Sequence, residues 1–500
     1  MSESHGPRLT SRRWWHAVRW LVLLVALAFV AFAHLRIGTL LLARTHNTDK
    51  DILSAGQKQA LTLAEEARED LTPDFNKGVS QPLEDWFPHR TDGVVNPLWP
   101  WMAAWMAGKD QGVSPADEVT AADRVLFNRG RRFNVGWTLG LLIVLGIACT
   151  RVFSVGAAVN VVLLTGFGAL LPRAVWFQPE PVYYALFLVT WTACAFALHK
   201  NSLWMHILIG VFGGLAYLAN DTVVLLIAMY VLVSTLRWLW GWVEAWWPGS
   251  EAPTTMWLRR NHWIALFLMG FCFLMTAGPR LSYSDRTFGR PLHSLPARWM
   301  WLDNAEQAAE WTNERSATAS LPPSWWTYSA THARGEMRHR LKEGIRTQFQ
   351  DMVHPVPTEG APAAWQRMLE DRGLWLGWLA ASLAFTAVCV CFASPRPLNA
   401  AQRLHPEAAA QFLFALDTVA VYIVVYGWYA PIEHGPRFFL ALYSPVVLCM
   451  AWAGESLLRR GRRRGAAPWI FGTYHLAQWL LAAFVSWRLI QVLCDPAFLN

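Results

Sequence analysis

The sequence predicts an all-α polytopic membrane protein of about eleven transmembrane helices, with two large outer-face loops that bear amphipathic helices. Composition is the first ground: of 500 residues 54% are hydrophobic and only 16% are charged, with 31 Trp, unlike a soluble globular chain. The second is that apolar runs long enough to cross a bilayer recur from end to end of the chain. The third is that clustered Arg residues fall at alternate ends of those runs.

Hydropathy places the spans near Trp20–Ala43, Val135–Cys149, Phe153–Leu171, Val182–Leu198, Trp204–Ala219, Val223–Leu239, Trp263–Ala277, Leu374–Phe392, Ala408–Tyr429, Phe438–Ala453 and Trp469–Leu493. The first, within "SRRWWHAVRWLVLLVALAFVAFAH", has the basic start and small-x-small ending of a secretory signal. Its apolar stretch resumes at Ile37–Ala43, which favours an uncleaved anchor. With the N-terminus cytoplasmic, Arg12, Arg13 and Arg19, then Arg259 and Arg260, then "RRGRRRG" (Arg459–Gly465) all face the cytoplasm. The formal charge of +8 is thereby a topology signal rather than a nucleic-acid footprint. Both large loops, roughly Arg44–Asn134 and Pro279–Gly373, then lie outside. The chain divides into an N-terminal transmembrane module (1–280, with first outer loop 44–134), an outer loop or lid (281–373) and C-terminal transmembrane helices (374–500). Of seven cysteines only Cys494 falls near the outer face, so no extracellular disulfide framework is indicated.

In the first outer loop, Ile52–Arg68 has the spacing of a short amphipathic helix, with Asp49 or Asp51 at its N-terminus. A cap explains one of these aspartates and leaves the other for chemistry. Farther on, Trp99, Trp101, Met102, Trp105 and Met106 recur at helical spacing, which suits a segment returning to the membrane interface to roof a site. The second loop carries a helix over Ala333–Val353 that reads as a lid, an acceptor platform or a solvated cap.

Ionisable residues from separate loops share the outer face: Asp49 and Asp51; Glu180 in "WFQPEPVYY"; Asn220-Asp221 in "GLAYLANDTVVLL"; and Glu433, His434 and Arg437 in "IEHGPRFFLALYSPVV". Each alone reads as an interfacial anchor, but their convergence near lipid is the pattern of a site. A departing lipid phosphate needs a cation, for which Arg437 and Arg36 are the candidates. An acceptor hydroxyl needs a carboxylate as general base. Arg36 lies inside the first span, where it must face protein, water or a headgroup.

These pieces, together with "DKDILSAGQKQALTLAEE" and "DGVVNPLWPWMAAWM" (Asp92–Met106), give a layout that resembles the GT-C superfamily of membrane glycosyltransferases, the protein mannosyltransferase and aminoarabinose transferase type. The resemblance covers the first half of the chain and one late helix. It implies transfer of a sugar from a polyprenyl-phosphate-linked donor to a glycan, lipid or protein acceptor, among membrane lipids at the periplasmic face of a bacterial inner membrane. In that frame the first-loop acid is the catalytic base, Asp51 fitting best by register from "ALTLA" and Asp49 next. Glu180 matches the second acidic position, with Asp221, Glu433 and His434 as further acceptor-side groups, and Arg437 matches the arginine facing the donor phosphate. The acid pair is split here by Lys50, and no basic residue accompanies Asn220-Asp221. No His, Asp or Glu spacing commits to a metal, and dependence on a divalent ion stays open. Two other classes stay open as well: a transporter or flippase of lipid-linked intermediates, and a non-catalytic membrane scaffold of the same fold.

Overall fold

Helices account for every regular element among the described residues, which in this computed structural model are 8–44, 87–107, 121–200, 202–246, 255–314, 322–353, 361–392, 406–433, 435–463 and 465–496. Those longer than four residues are, in order, α1 (Arg8–Arg44), α2 (Leu98–Ala107), α3 (Ala121–Val152), α4 (Val155–Ala174), α5 (Glu180–Lys200), α6 (Leu203–Ala219), α7 (Val223–Trp246) and α8 (Thr255–Phe288). There follow α9 (Ala305–Glu314), α10 (Trp325–Thr331), α11 (Arg334–Val353), α12 (Ala363–Glu370), α13 (Arg372–Phe392), α14 (Pro406–Tyr429), α15 (Pro436–Arg463) and α16 (Pro468–Leu493). Among the described residues ten stretches are long and apolar enough to cross a membrane, with α12 and α13 forming one of them, Ala363–Phe392. The shorter α6, with 17 residues, rises about 25 Å and completes the alternation of helix directions. This is a multi-pass helical membrane protein.

The centre of the bundle is α4 and α5, whose most apolar windows are 89% and 78% buried, against 22% for α14. Such helices are hydrophobic all round because protein surrounds them, whereas α14 shows much of its apolar surface to lipid. Between Leu164 and Leu170 α4 loosens into π-helical turns, every residue of which is buried. Helix α6 lies against α8 along Gly210 and Gly214: a Cβ at Gly210 would sit 2.4 Å from Met269 O, and one at Gly214 would sit 1.6 Å from Thr276 Oγ1. Small residues at this spacing let two membrane helices touch backbone to backbone.

Two ends can be told apart by what stitches them. At the basic end the Arg19 guanidinium donates to the Thr150 and Phe153 carbonyls, Ser154 N donates to Glu455 Oε1 (2.8 Å), and Arg237 pairs with Glu407 (3.5 Å). The starts of α1 and α8 and the end of α15, which carry the three Arg clusters, belong to this end. The opposite end, here the loop face, carries segment 87–107 and the α9–α11 cap, and Leu295 N, in the stretch between α8 and α9, donates to Gly93 O (2.8 Å).

The helix predicted over Ala333–Val353 is α11, and the Trp-rich segment is α2. The helix expected over Ile52–Arg68 lies outside the described residues. Helix α3 begins at Ala121 rather than Val135, and α8 runs through Pro279 to Phe288 rather than stopping at Ala277, so the boundary drawn at 280 falls inside a helix.

Candidate functional site

The loop face gathers several of the residues that the sequence singles out. Glu180 opens α5, half-buried, and Asp221 lies in the turn between α6 and α7. A hydroxyl network links those two elements. Thr222 Oγ1 donates to Asn220 Oδ1 (2.8 Å) and pairs with Tyr183 OH (3.0 Å) and Tyr426 OH (3.3 Å), while Tyr422 OH donates to Thr222 O (2.7 Å). Tyr183 and Tyr184 follow Glu180 by about one helical turn, so one face of α5 brings the carboxylate and both phenols inward. Asp221 lies within electrostatic reach of Tyr217, Tyr422 and Tyr426.

The basic residue missing from the Asn220-Asp221 turn arrives from α8. Arg280 Nη1 donates to Tyr217 O (2.8 Å), and its guanidinium lies over the Tyr217 ring, 4.3 Å from the centroid. Arg131 on α3 plays a different part. It donates to Val175 O (2.7 Å), Leu42 O (3.1 Å) and Asn128 Oδ1 (3.4 Å), which pins the end of α1 beside the turn that precedes Glu180.

A third buried arginine, Arg372, was not foreseen. It is the first residue of α13 and is 2% exposed, and neither Nε nor Nη1 has a hydrogen-bond partner. Tyr443, Arg173 and Tyr184 lie within electrostatic reach of it. Tyr443 is seated because Gly168, in the π-helical turns of α4, leaves room for its ring: a Cβ there would be 2.6 Å from Cε1. The signal was present in the helical spacing, since Arg372, Trp375, Leu379, Thr386 and Val390 form one buried stripe along α13.

The other residues singled out are placed as follows. Arg36 is exposed on α1, and Glu433 is exposed in the turn before α15. Arg437 lies in the first turn of α15, with its side chain outside the described set. Asp49, Asp51 and His434 lie outside the described residues altogether. No group of three or more His, Cys, Asp or Glu able to hold a metal ion occurs among the described residues.

Above this face sits the cap. Arg340 of α11 donates to Trp428 O (3.2 Å), Met300 O (3.2 Å) and Tyr328 OH (2.9 Å), and its guanidinium lies over the Tyr328 and Trp428 rings at 5.0 and 4.9 Å. Tyr328 OH donates in turn to Asp303 Oδ1 (3.1 Å), which also faces His332 Nε2 (3.2 Å). Burial pushes the Tyr328 hydroxyl above its ordinary value, so it stays protonated as that donor. The network borders an open cavity of about 640 Å³ floored by Gly344, Ala430 and Pro431.

Segment 87–107 closes one side, with Trp99 against Phe177 at 5.1 Å between ring centroids. Asp92 Oδ1 accepts from Val94 N and Val95 N, both at 2.8 Å, while Oδ2 is buried without a partner. Burial raises the Asp92 carboxyl above the ordinary aspartate value, although the two amides pull it down. Searches for related proteins returned no matching family model and no matching curated protein.

Proposed function

We propose that the protein is a membrane glycosyltransferase of GT-C type, moving a sugar from a polyprenyl-phosphate-linked donor to a glycan, lipid or protein acceptor at the outer face of a bacterial inner membrane. The observation that carries this is the gathering at the capped loop face of Glu180, Asp221 and the end of α1, from which Asp49 and Asp51 follow. Asp49 is five residues past Arg44 in the sequence and Asp51 seven. Arg131 holds that end beside the turn leading into Glu180.

In the reaction, Asp51 (or Asp49) takes the acceptor hydroxyl proton as the oxygen attacks the anomeric carbon. The bond from that carbon to the lipid phosphate oxygen breaks, and the phosphate leaves with the electron pair, stabilised by a cation such as Arg437. Glu180 and Asp221 offer acceptors to sugar hydroxyls. The partition of substrates supports the reading, because a greasy donor and a polar acceptor meet where lipid borders water.

The test is sugar transfer by purified protein in nanodiscs, using a labelled donor drawn from native lipid extract. Wild type is expected to turn over, and Asp51→Asn or Asp49→Asn to lose on the order of 10²- to 10⁴-fold. Wild-type turnover in both variants removes the proposed base. A wild type that transports labelled lipid across vesicles without transferring sugar removes the transferase.

A further inference from the structure

We infer that the open cavity in the cap is a binding site for a neutral carbohydrate chain, with Tyr328 and Trp325 as its stacking surface. The site goes beyond sugar transfer, because its lining shares no residue with the groups assigned to that reaction. At about 640 Å³ it has the size of a ligand pocket and holds a short oligosaccharide. Helices α11 and α14 meet backbone to backbone at Gly344 and Gly427, where a Cβ on Gly344 would stand 1.8 Å from Gly427 O. The floor beside that contact is therefore low and smooth, made of Gly344, Ala430 and Pro431.

Charge selects the class of ligand. The walls carry three carboxylates, and each has a positive partner already. Asp303 faces His332 Nε2 (3.2 Å) and Arg340 Nη1 (3.7 Å), and Glu343 faces Arg346 (3.9 Å). Glu336 lies in the first turn of α11, where the helix dipole favours it, and accepts from Ala333 N (2.9 Å). The Arg340 guanidinium donates from all three nitrogens to Trp428 O, Met300 O and Tyr328 OH, so it is committed to the wall. Neither an anion nor a cation finds an uncompensated charge there. A carboxylate has about four lone-pair sites, however, so each of the three still accepts from a ligand, as does the Thr347 hydroxyl. Oriented acceptors without surplus charge suit a neutral molecule with many O–H donors.

The aromatic groups narrow the class to sugars. A pyranose ring has hydroxyls round its edge and a face of C–H groups, which packs on the π-face of an aromatic ring. Tyr328 lines the cavity, and Trp325 lies one turn earlier on the same face of α10. Trp325 is 45% exposed, yet its ring is braced by Trp301 (5.6 Å between centroids) and Trp428 (6.2 Å). Arg340 lies over the Tyr328 and Trp428 rings in turn, so the platform is rigid before any ligand arrives. An exposed indole could also serve a lipid surface, but three carboxylates beside it oppose burial among acyl chains. A basic peptide would need the uncompensated negative charge that the walls lack.

The experiment uses the full-length protein in a polyoxyethylene detergent, whose headgroup is not a sugar, with binding read by saturation-transfer NMR and calorimetry. The probes are glucose-, mannose- and galactose-based oligosaccharides of one to four units, with tetralysine as the charged comparison. At least one sugar series is expected to bind and to tighten with length as the chain reaches Trp325. Trp325→Ala is expected to weaken it about 10-fold. Thr347→Trp, which fills the cavity, should abolish binding while the unfolding midpoint stays near wild type. Trp326→Ala, about 100° round α10 and 80% exposed in wild type, should bind as wild type does. No binding of any sugar up to about 20 mM, or equal binding by wild type, Trp325→Ala and Thr347→Trp, would overturn the site. Tetralysine binding more tightly than every sugar would overturn the neutral ligand. Asp51→Asn is expected to bind the oligosaccharide like wild type. A protein that binds it at Trp325 yet transfers no sugar keeps this site and loses the transferase reading, so the two failures are distinct.

Discussion

Arg372→Met should leave the lipid-free protein as stable as wild type, or more stable. Three guanidinium N–H groups have no acceptor, and each buried unmet donor costs about 1–3 kcal/mol, which bounds the strain at roughly 3–9 kcal/mol before relaxation. Measured replacements of buried ionic groups by apolar side chains of similar length recover less, about 1–4 kcal/mol. Methionine is smaller, and the space it leaves subtracts roughly 1 kcal/mol. The net expectation is a gain of about 0–3 kcal/mol, read from denaturant or thermal unfolding in detergent micelles. A loss of more than about 2 kcal/mol in lipid-free Arg372→Met would refute the reasoning, because it would show that the guanidinium ties the bundle together as Arg131 does.

Three further outcomes follow from packing and charge. Gly344→Ala gains about 1 kcal/mol of helix propensity, but its Cβ would stand 1.8 Å from Gly427 O, so α11 must lift from α14. The expected result is a net loss of about 1–3 kcal/mol and faster proteolysis at the loop face. Gly214→Leu drives a side chain into Thr276, and should unfold the α6–α8 contact at a cost of several kcal/mol, seen as a lowered unfolding midpoint. Asp92 holds its proton more tightly folded than unfolded, so its contribution is full below the ordinary aspartate value of about 4 and is lost as pH rises through the shifted value. Asp92→Asn keeps the Oδ1 acceptor and cannot ionise, so unfolding measured from pH 4 to 7 should fall less steeply than in wild type; parallel curves would count against a buried carboxyl there.

Hydropathy was enough to find the ten apolar spans among the described residues, because each is an apolar run whose length is set by the bilayer rather than by tertiary detail. The cap helix α11 was legible from its own amphipathic spacing. The placement of Glu180 and Asp221 at one end followed from counting crossings. What stayed hidden is the polar continuation of several spans. Helix α3 starts at Ala121, where Arg124, Asn128 and Arg131 pull the local hydropathy down. Helix α8 passes Pro279, a residue that reads as a stop, because the glycine-lined contact with α6 and the Arg280 bond to Tyr217 hold the next turns in place.

These hidden extensions hold the chemistry. Arg131 lies four residues before the run that begins at Val135, Arg280 three residues after the run that ends at Ala277, and Arg372 two residues before the run at Leu374. All three are buried at the loop face, on helical turns that hydropathy assigns to loops. The reason is physical: a guanidinium at headgroup depth is tolerable only where protein or ligand replaces water, so it sits on the buried side of a span's first or last turn, where an averaging window sees a boundary. Their bonding then separates their roles. Arg131 donates from all three nitrogens to protein oxygens and is spent as a tie. Arg280 is half-committed, with one carbonyl and one ring. Arg372 has Nε and Nη1 uncommitted, and the groups given within electrostatic reach of it are Tyr443, Tyr184 and a second cation, Arg173. Losing Arg372 would therefore spare the bundle an unmet buried cation, whereas losing Arg131 would cut the tie between α1 and the turn before Glu180.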